Sequence, residues 1–209
     1  MTLRLPPSRP GLRVGLYGGS FNPAHAGHRH VALLALRRLR LDRVWWLVTP
    51  GNPLKDGGDL EGVRARLAGA ARVAAHPRIA VTGFEAVTGS RYTIETLRLL
   101  KARRPGVRFV WIMGADSLAG LHRWRGWAEI MRLVPVAVID RPGFTLKSVH
   151  GRAATRFAAA RVDERAAATL ADRAPPAWTL LHGPRSSLSS TRIRAARMLD
   201  DPGALQRVR

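Results

Sequence analysis

The sequence predicts an α/β protein: an open parallel sheet with helices on both faces, in a single domain. Three observations predict it. Short apolar runs alternate with helix-periodic stretches in units of about thirty residues, the size of a strand–helix–strand crossover. The apolar runs lack polar alternation, as expected of strands covered on both sides. The chain of 209 residues, 46% apolar, is long enough for one real core and shows no repeat, low-complexity tract or linker.

Residues 1–12 carry positive charge and three prolines and read as a disordered basic lead-in; the domain is assigned to 13–209. Residues 13–19 (RVGLYGG) form a first strand ending in glycines. Residues 27–39 place Val31, Leu34, Ala35 and Leu39 at helical spacing. Residues 43–50 are a buried strand stopped by proline and glycine. A helix over 59–76 opens at Asp59 and closes before Pro77. A third strand spans 78–83, and a helix over 93–104 has Thr93 as N-cap and arginines in its last turn. Strands follow at 107–114, 135–143 and 177–183, and a last helix at 189–199. The Ala/Arg-rich stretch 152–174 reads as helical.

Composition excludes several classes. There is no cysteine, hence no disulfide framework and no thiolate chemistry. No apolar stretch approaches the roughly 20 residues that span a bilayer, and the N-terminus has no apolar signal region, so a cytoplasmic protein is expected. The net charge of +21 raises the question of a polyanionic partner. Its basic residues are almost all arginines scattered along the chain, with lysine only at 55, 101 and 147. That pattern favours a generally basic surface with a small anionic substrate over specific nucleic-acid binding.

Chemistry concentrates at two helix starts. Residues 18–28, GGSFNPAHAGH, follow the first strand, where open α/β sheets bind ligands. Gly18 and Gly19 let the backbone come close to a ligand, and the helix that follows offers unpaired N–H groups to phosphate. His25 and His28, at i and i+3, can face the same way and donate to phosphate oxygens. The run fits neither G-x-G-x-x-G nor G-x-x-x-x-G-K-[ST]. H-x-x-H could hold zinc, but no third ligand accompanies it. Residues 187–194, SLSSTRIR, gather Ser189, Ser190 and Thr191 at a second helix start, with Arg192 and Arg194 beyond. Two such ends converging suit a polyphosphate.

These two motifs resemble the H-x-G-H signature and the C-terminal partner motif of the nucleotidyltransferase superfamily, whose members have a Rossmann-like fold. Residues 49–55 (TPGNPLK), 90–97 (SRYTIETL), 113–118 (MGADSL), 122–124 (HRW) and 139–143 (IDRPG) narrow the match. Over roughly residues 13–199 the chain resembles the bacterial nicotinate-nucleotide adenylyltransferases. The resemblance implies adenylyl transfer from ATP to nicotinate mononucleotide, giving deamido-NAD and pyrophosphate in NAD biosynthesis. A relative using nicotinamide mononucleotide or phosphopantetheine is the alternative acceptor; a basic nucleic-acid-binding protein is the alternative class.

The resemblance also implies residue roles. Gly18, Gly19, Ser20 and Phe21 would bind ATP through the backbone, and His25 and His28 would hold its phosphates. Ser189, Ser190, Thr191 and Arg194 would hold the leaving pyrophosphate. Gly114 and Asp116 would contact the adenosine ribose. Tyr92, Thr93 and Trp124 would form the nicotinate pocket, with Lys55 and Arg141 toward the mononucleotide phosphate. Departures are the short loop GNPLK, which leaves the match at Lys55 loose, and Arg125, where the family commonly has an aromatic. Mg²⁺ would be held mainly by the ATP phosphates, with no dedicated protein metal site. Alignment and charge neutralisation would then carry catalysis, since an acceptor phosphate needs no general base.

Overall fold

The computed structural model describes residues 3–51, 61–183, 190 and 193–194. Six parallel strands form one open sheet in the order β3-β2-β1-β4-β5-β6. The strands are β1 (Arg13–Gly19), β2 (Arg43–Val48), β3 (Ile79–Thr82), β4 (Arg108–Gly114), β5 (Val136–Ile139) and β6 (Trp178–Leu181). The helices are α1 (Ala26–Arg38), α2 (Val63–Ala74), α3 (Phe84–Thr88), α4 (Thr93–Arg103), α5 (Ala115–Gly120), α6 (Trp127–Leu133), α7 (Thr145–Val149) and α8 (Arg152–Arg156). The chain winds from β1 outward to β3, then returns to place β4 on the other side of β1. That reversal opens a crevice above the carboxyl ends of β1 and β4.

The unalternated strands bury both faces, as their sequences require. One face packs Trp45, Trp111 and Trp178 with Ile94, Leu97 and Leu100 of α4 and Ile130 of α6. The other packs Trp46, Val110 and Ile112 with Leu34 and Leu36 of α1 and Leu67 and Ala70 of α2. At the amino end of the sheet, Asp172 accepts from Arg13 and Arg108, joining the first residues of β1 and β4.

Several elements differ from the expectation. Residues 3–12, expected to be a disordered lead-in, lie against the domain. Leu5 and Leu12 pack on the core, and the Thr82 hydroxyl donates to the Arg4 carbonyl at 2.9 Å. Two leucines among the prolines supply the apolar area that holds the segment. β5 ends at Ile139, not at residue 143: the Asp140 N–H makes a last bond to the Leu181 carbonyl of β6 at 2.9 Å, and its side chain accepts from the Thr145 hydroxyl at 2.5 Å, where the chain turns into α7. The stretch 152–174 is broken into α8 and 3₁₀ turns at Ala158–Ala160 and Glu164–Asp172. Arg161 bridges to Trp178 there, so the chain must extend between turns to reach the sheet edge.

Candidate active site

The crevice gathers residues from β1, β4, β5, α1 and the C-terminal segment. Gly18 closes β1 against β4: a methyl on it would stand 2.7 Å from the Trp111 ring, so only glycine lets these strands carry that indole. Phe21 follows in the left-handed region, at φ +48°. Its buried ring stacks on Trp46, centroids 4.8 Å apart and planes 11° apart, and meets the edge of Tyr17. An aromatic floor thus fixes the turn from which α1 starts.

His25 is the N-cap of α1 and His28 its third residue, as the i, i+3 spacing predicted. Their ring centroids are 3.9 Å apart. The His25 amide N–H donates to His28 Nδ1 at 3.2 Å. That bond assigns the neutral tautomer of His28: its proton sits on Nε2, leaving an N–H donor for a phosphate oxygen. Both ring nitrogens of His25 are buried without a hydrogen-bond partner among the described residues. An unpaired buried imidazole costs free energy that a ligand can recover.

Burial is the largest influence on both imidazoles. It pushes the His25 pKa down, aided by the Arg141 charge, and pushes His28 down to about 3, aided by His25 and Arg141. Both rings are therefore neutral at pH 7. Because the unfolded chain binds a proton on His28 below about pH 6.5 that the folded chain does not take until about pH 3, stability falls as pH drops through that window. The melting temperature of the free protein is expected to decline from pH 6.5 downward, and His28→Asn to flatten that decline. An unchanged acid slope in the variant would show that another group carries it.

The second helix start meets the first. Ser190 Oγ donates to the Pro23 carbonyl at 2.9 Å, and Arg194 Nη1 donates to the Asn22 carbonyl at 2.6 Å. Ser190 and Arg194 are thereby brought to the same loop as the two histidines. Lys55, Ser189 and Thr191 lie outside the described residues.

At the end of β4, Gly114 is the N-cap of α5, and a methyl on it would run into Asp116 Oδ1. Asp116 Oδ2 accepts from Arg141 Nη1 at 2.8 Å, while Oδ1 is buried without a partner. Arg141, expected at the mononucleotide phosphate, is tied to Asp116 and lies close enough to shift both histidines. Burial keeps the Tyr17 phenol protonated; Arg141 and Asp116 act on it in opposite directions.

Tyr92 and Thr93 form a separate group at the start of α4, on the same end of the sheet. Tyr92 is the N-cap and Thr93 the first helical residue. The Arg125 guanidinium lies over the Tyr92 ring at 4.7 Å and pairs with Glu95 at 3.5 Å. Trp124, one residue earlier, is half-buried against the core. Behind this start, burial pushes buried Glu85 up to about 7 while the Thr96 hydroxyl, 2.7 Å away, favours its anion.

The family model described as cytidylyltransferase-like matches residues 16–196. A relative in Methylorubrum extorquens (strain PA1), described as a "Probable nicotinate-nucleotide adenylyltransferase", is 66% identical over 88% of this chain and 99% of its own length. One of the same description in Rhizobium johnstonii is 56% identical over 91% of this chain and 96% of its own.

The chain belongs to the nicotinate-nucleotide adenylyltransferase family.

The fold agrees. A solved structure of the Plasmodium falciparum nicotinic acid mononucleotide adenylyltransferase, complexed with NaAD, superimposes with a TM-score of 0.66 at 18% identity, covering 88% of this chain and 83% of that one. No helix among the described residues is long and apolar enough to cross a membrane.

Two residues near the crevice have roles in the structure that sequence reasoning missed. Tyr17 reads only as part of a strand, and nothing in its pattern marks its ring as a neighbour of Phe21, His28 and Trp46. Arg66 was read as part of a helix; a basic residue on the apolar side of α2 was the available signal.

Proposed function

We infer that the chain transfers the adenylyl group of ATP to nicotinate mononucleotide, forming deamido-NAD and pyrophosphate. One observation carries the reading beyond family membership: Ser190 and Arg194 bond to the loop that leads into His25 and His28, so the two motifs meet in space.

In the reaction, an oxygen of the acceptor phosphate attacks the α-phosphorus of ATP. The bond from that phosphorus to the bridging oxygen breaks, and pyrophosphate leaves with the electron pair. The acceptor phosphate is already ionised, so no base has to remove a proton. The residues align two phosphates in line and meet the charge that grows on the leaving group. His28 Nε2–H and the His25 ring supply neutral donors. Arg194 keeps guanidinium N–H groups beyond the one given to Asn22. Asp116 Oδ1 would accept from a ribose hydroxyl, and the Thr93 amide at the start of α4 would receive the nicotinate carboxylate.

Mg²⁺ would reach the site on the triphosphate. No cluster of three or more His, Cys, Asp or Glu side chains is found among the described residues, and the neutral imidazoles suit phosphate oxygens better than a hard cation. When bound, it neutralises charge on the β- and γ-phosphates. The intracellular supply of ATP places the activity in the cytoplasm.

The test is ATP and Mg²⁺ with nicotinate mononucleotide, nicotinamide mononucleotide or phosphopantetheine, followed by pyrophosphate release. The nicotinate acceptor is expected to be preferred over the amide by at least about tenfold in kcat/KM, ~1.4 kcal/mol. Equal rates with both would overturn the assignment of the acceptor.

A further inference from the structure

Arg66, in the first turn of α2, is 1% exposed, and its guanidinium makes no ion pair among the described residues. It donates instead to four carbonyls. Nε donates to Glu61 at 2.7 Å, Nη1 to Ser20 and Thr49 at 2.7 Å each, and Nη2 to Pro50 at 3.1 Å. These carbonyls come from three segments: the loop after β1, the end of β2 and the lead-in to α2. The same two loops are also joined by the Thr49 amide, which donates to the Gly19 carbonyl at 3.0 Å. Burial opposes the charge on Arg66 and pulls its pKa down. A charged group taken out of water to bind carbonyls alone is costly, so its geometry has to matter.

The bond to Ser20 has a specific consequence. In a trans peptide the C=O and the next N–H point in opposite directions. With the Ser20 carbonyl held by Arg66, the Phe21 N–H must point away from the α2 side. It has no hydrogen-bond partner among the described residues. The same orientation gives Phe21 its φ of +48°, a conformation that a residue with a Cβ adopts only at a cost. Turning that one peptide over would bring φ to an ordinary negative value and withdraw the N–H.

We propose that Arg66 is a positioning residue for the nucleotide: by holding the Ser20 carbonyl it keeps the Ser20–Phe21 peptide turned so that the Phe21 amide donates to a phosphate of ATP. The proposal rests on the function assigned above and adds the group that sets the loop. Lysine cannot replace it, because one ammonium cannot meet carbonyls spread over three segments.

Arg66→Lys and Arg66→Gln are assayed at a temperature where circular dichroism shows each fully folded. Expected is a fall of at least about tenfold in kcat/KM for ATP, with KM for the mononucleotide within about twofold of wild type. A structural role alone lowers the melting temperature and leaves kcat/KM for ATP per folded molecule unchanged; that result overturns the proposal. A second measurement needs no variant. In the ¹⁵N-phenylalanine-labelled wild type, the Phe21 amide resonance should shift when a non-hydrolysable ATP analogue is added without acceptor. If it does not move on saturation, the proposal fails. A wild type that binds the analogue but adenylates no nicotinate mononucleotide would instead refute the assigned reaction.

Discussion

Replacing His28 with alanine is expected to lower kcat by about 10²-fold or more, roughly 2.7 kcal/mol, the loss typical of one transition-state donor. The reason is the direction of its proton. Nδ1 is occupied by the His25 amide, so Nε2–H is the donor that remains. Charge builds on the leaving pyrophosphate only as the bond to the α-phosphorus breaks, so a donor aimed there acts on kcat more than on KM. His25→Ala should do harm of the same kind. Folding should survive in both, because neither ring carries a structural hydrogen bond beyond the one at the helix cap, worth about 0.5–1.5 kcal/mol. Turnover and melting temperature are to be measured together. Normal turnover in the His28 variant would remove it from the phosphate site, whereas lost turnover with a collapsed melting transition would make it a structural cap.

Trp46→Ala is expected to cost roughly 3–5 kcal/mol of stability and to weaken ATP binding as well. Trp46 is completely buried, and its indole is the surface on which Phe21 stacks. Removing it opens a cavity in one core face and takes the support from beneath a residue already held at positive φ. Trp46→Phe is the control. Nε1 has no hydrogen-bond partner, so phenylalanine sacrifices volume but no polar contact. It should retain most of the stability and most of the affinity for ATP. Chemical denaturation gives the first quantity and ATP titration the second. A variant with alanine that loses stability yet binds ATP normally would separate the aromatic floor from the loop above it.

The long elements of the fold were legible because each had its own signal. β1, β2, β4 and α4 came within a residue or two of their ranges, since glycine or proline ends each of the strands, although Tyr92 and not Thr93 is the N-cap of α4. α3, α5, α6 and α7, at five to seven residues each, are too short to show a helical period. They exist because the chain packs there, which no local pattern encodes. In the candidate site, the two motifs that meet were readable because glycine, histidine and a hydroxyl cluster are unusual residues to find at helix starts. The pairing of Arg141 with Asp116 could not be read from the pattern: Asp116 lies on another strand's loop, and only the sheet brings the two together. Arg66 was hidden more deeply, because carbonyls are its partners and every residue has one.

The pairing of β1 with β4 bears on how the chain acquires its shape. Arg13 lies opposite Arg108, across the whole of β2, α2, β3 and α4, whereas β1 to β2 and β2 to β3 join neighbours in sequence. Bringing distant segments together costs more loop entropy than closing a local crossover, and parallel sheets accordingly form slowly. Asp172, drawn from still later in the chain, clamps that same junction. The crevice therefore exists only once the most remote contact of the sheet is made. During synthesis on the ribosome, a nascent chain that ends before residue 108 can pair its first three strands and form the loop of His25 and His28, yet has only one wall of its cleft. Until then the inner edge of β1 stands bare, and it is at this stage that the chain is most exposed to pairing with the wrong partner.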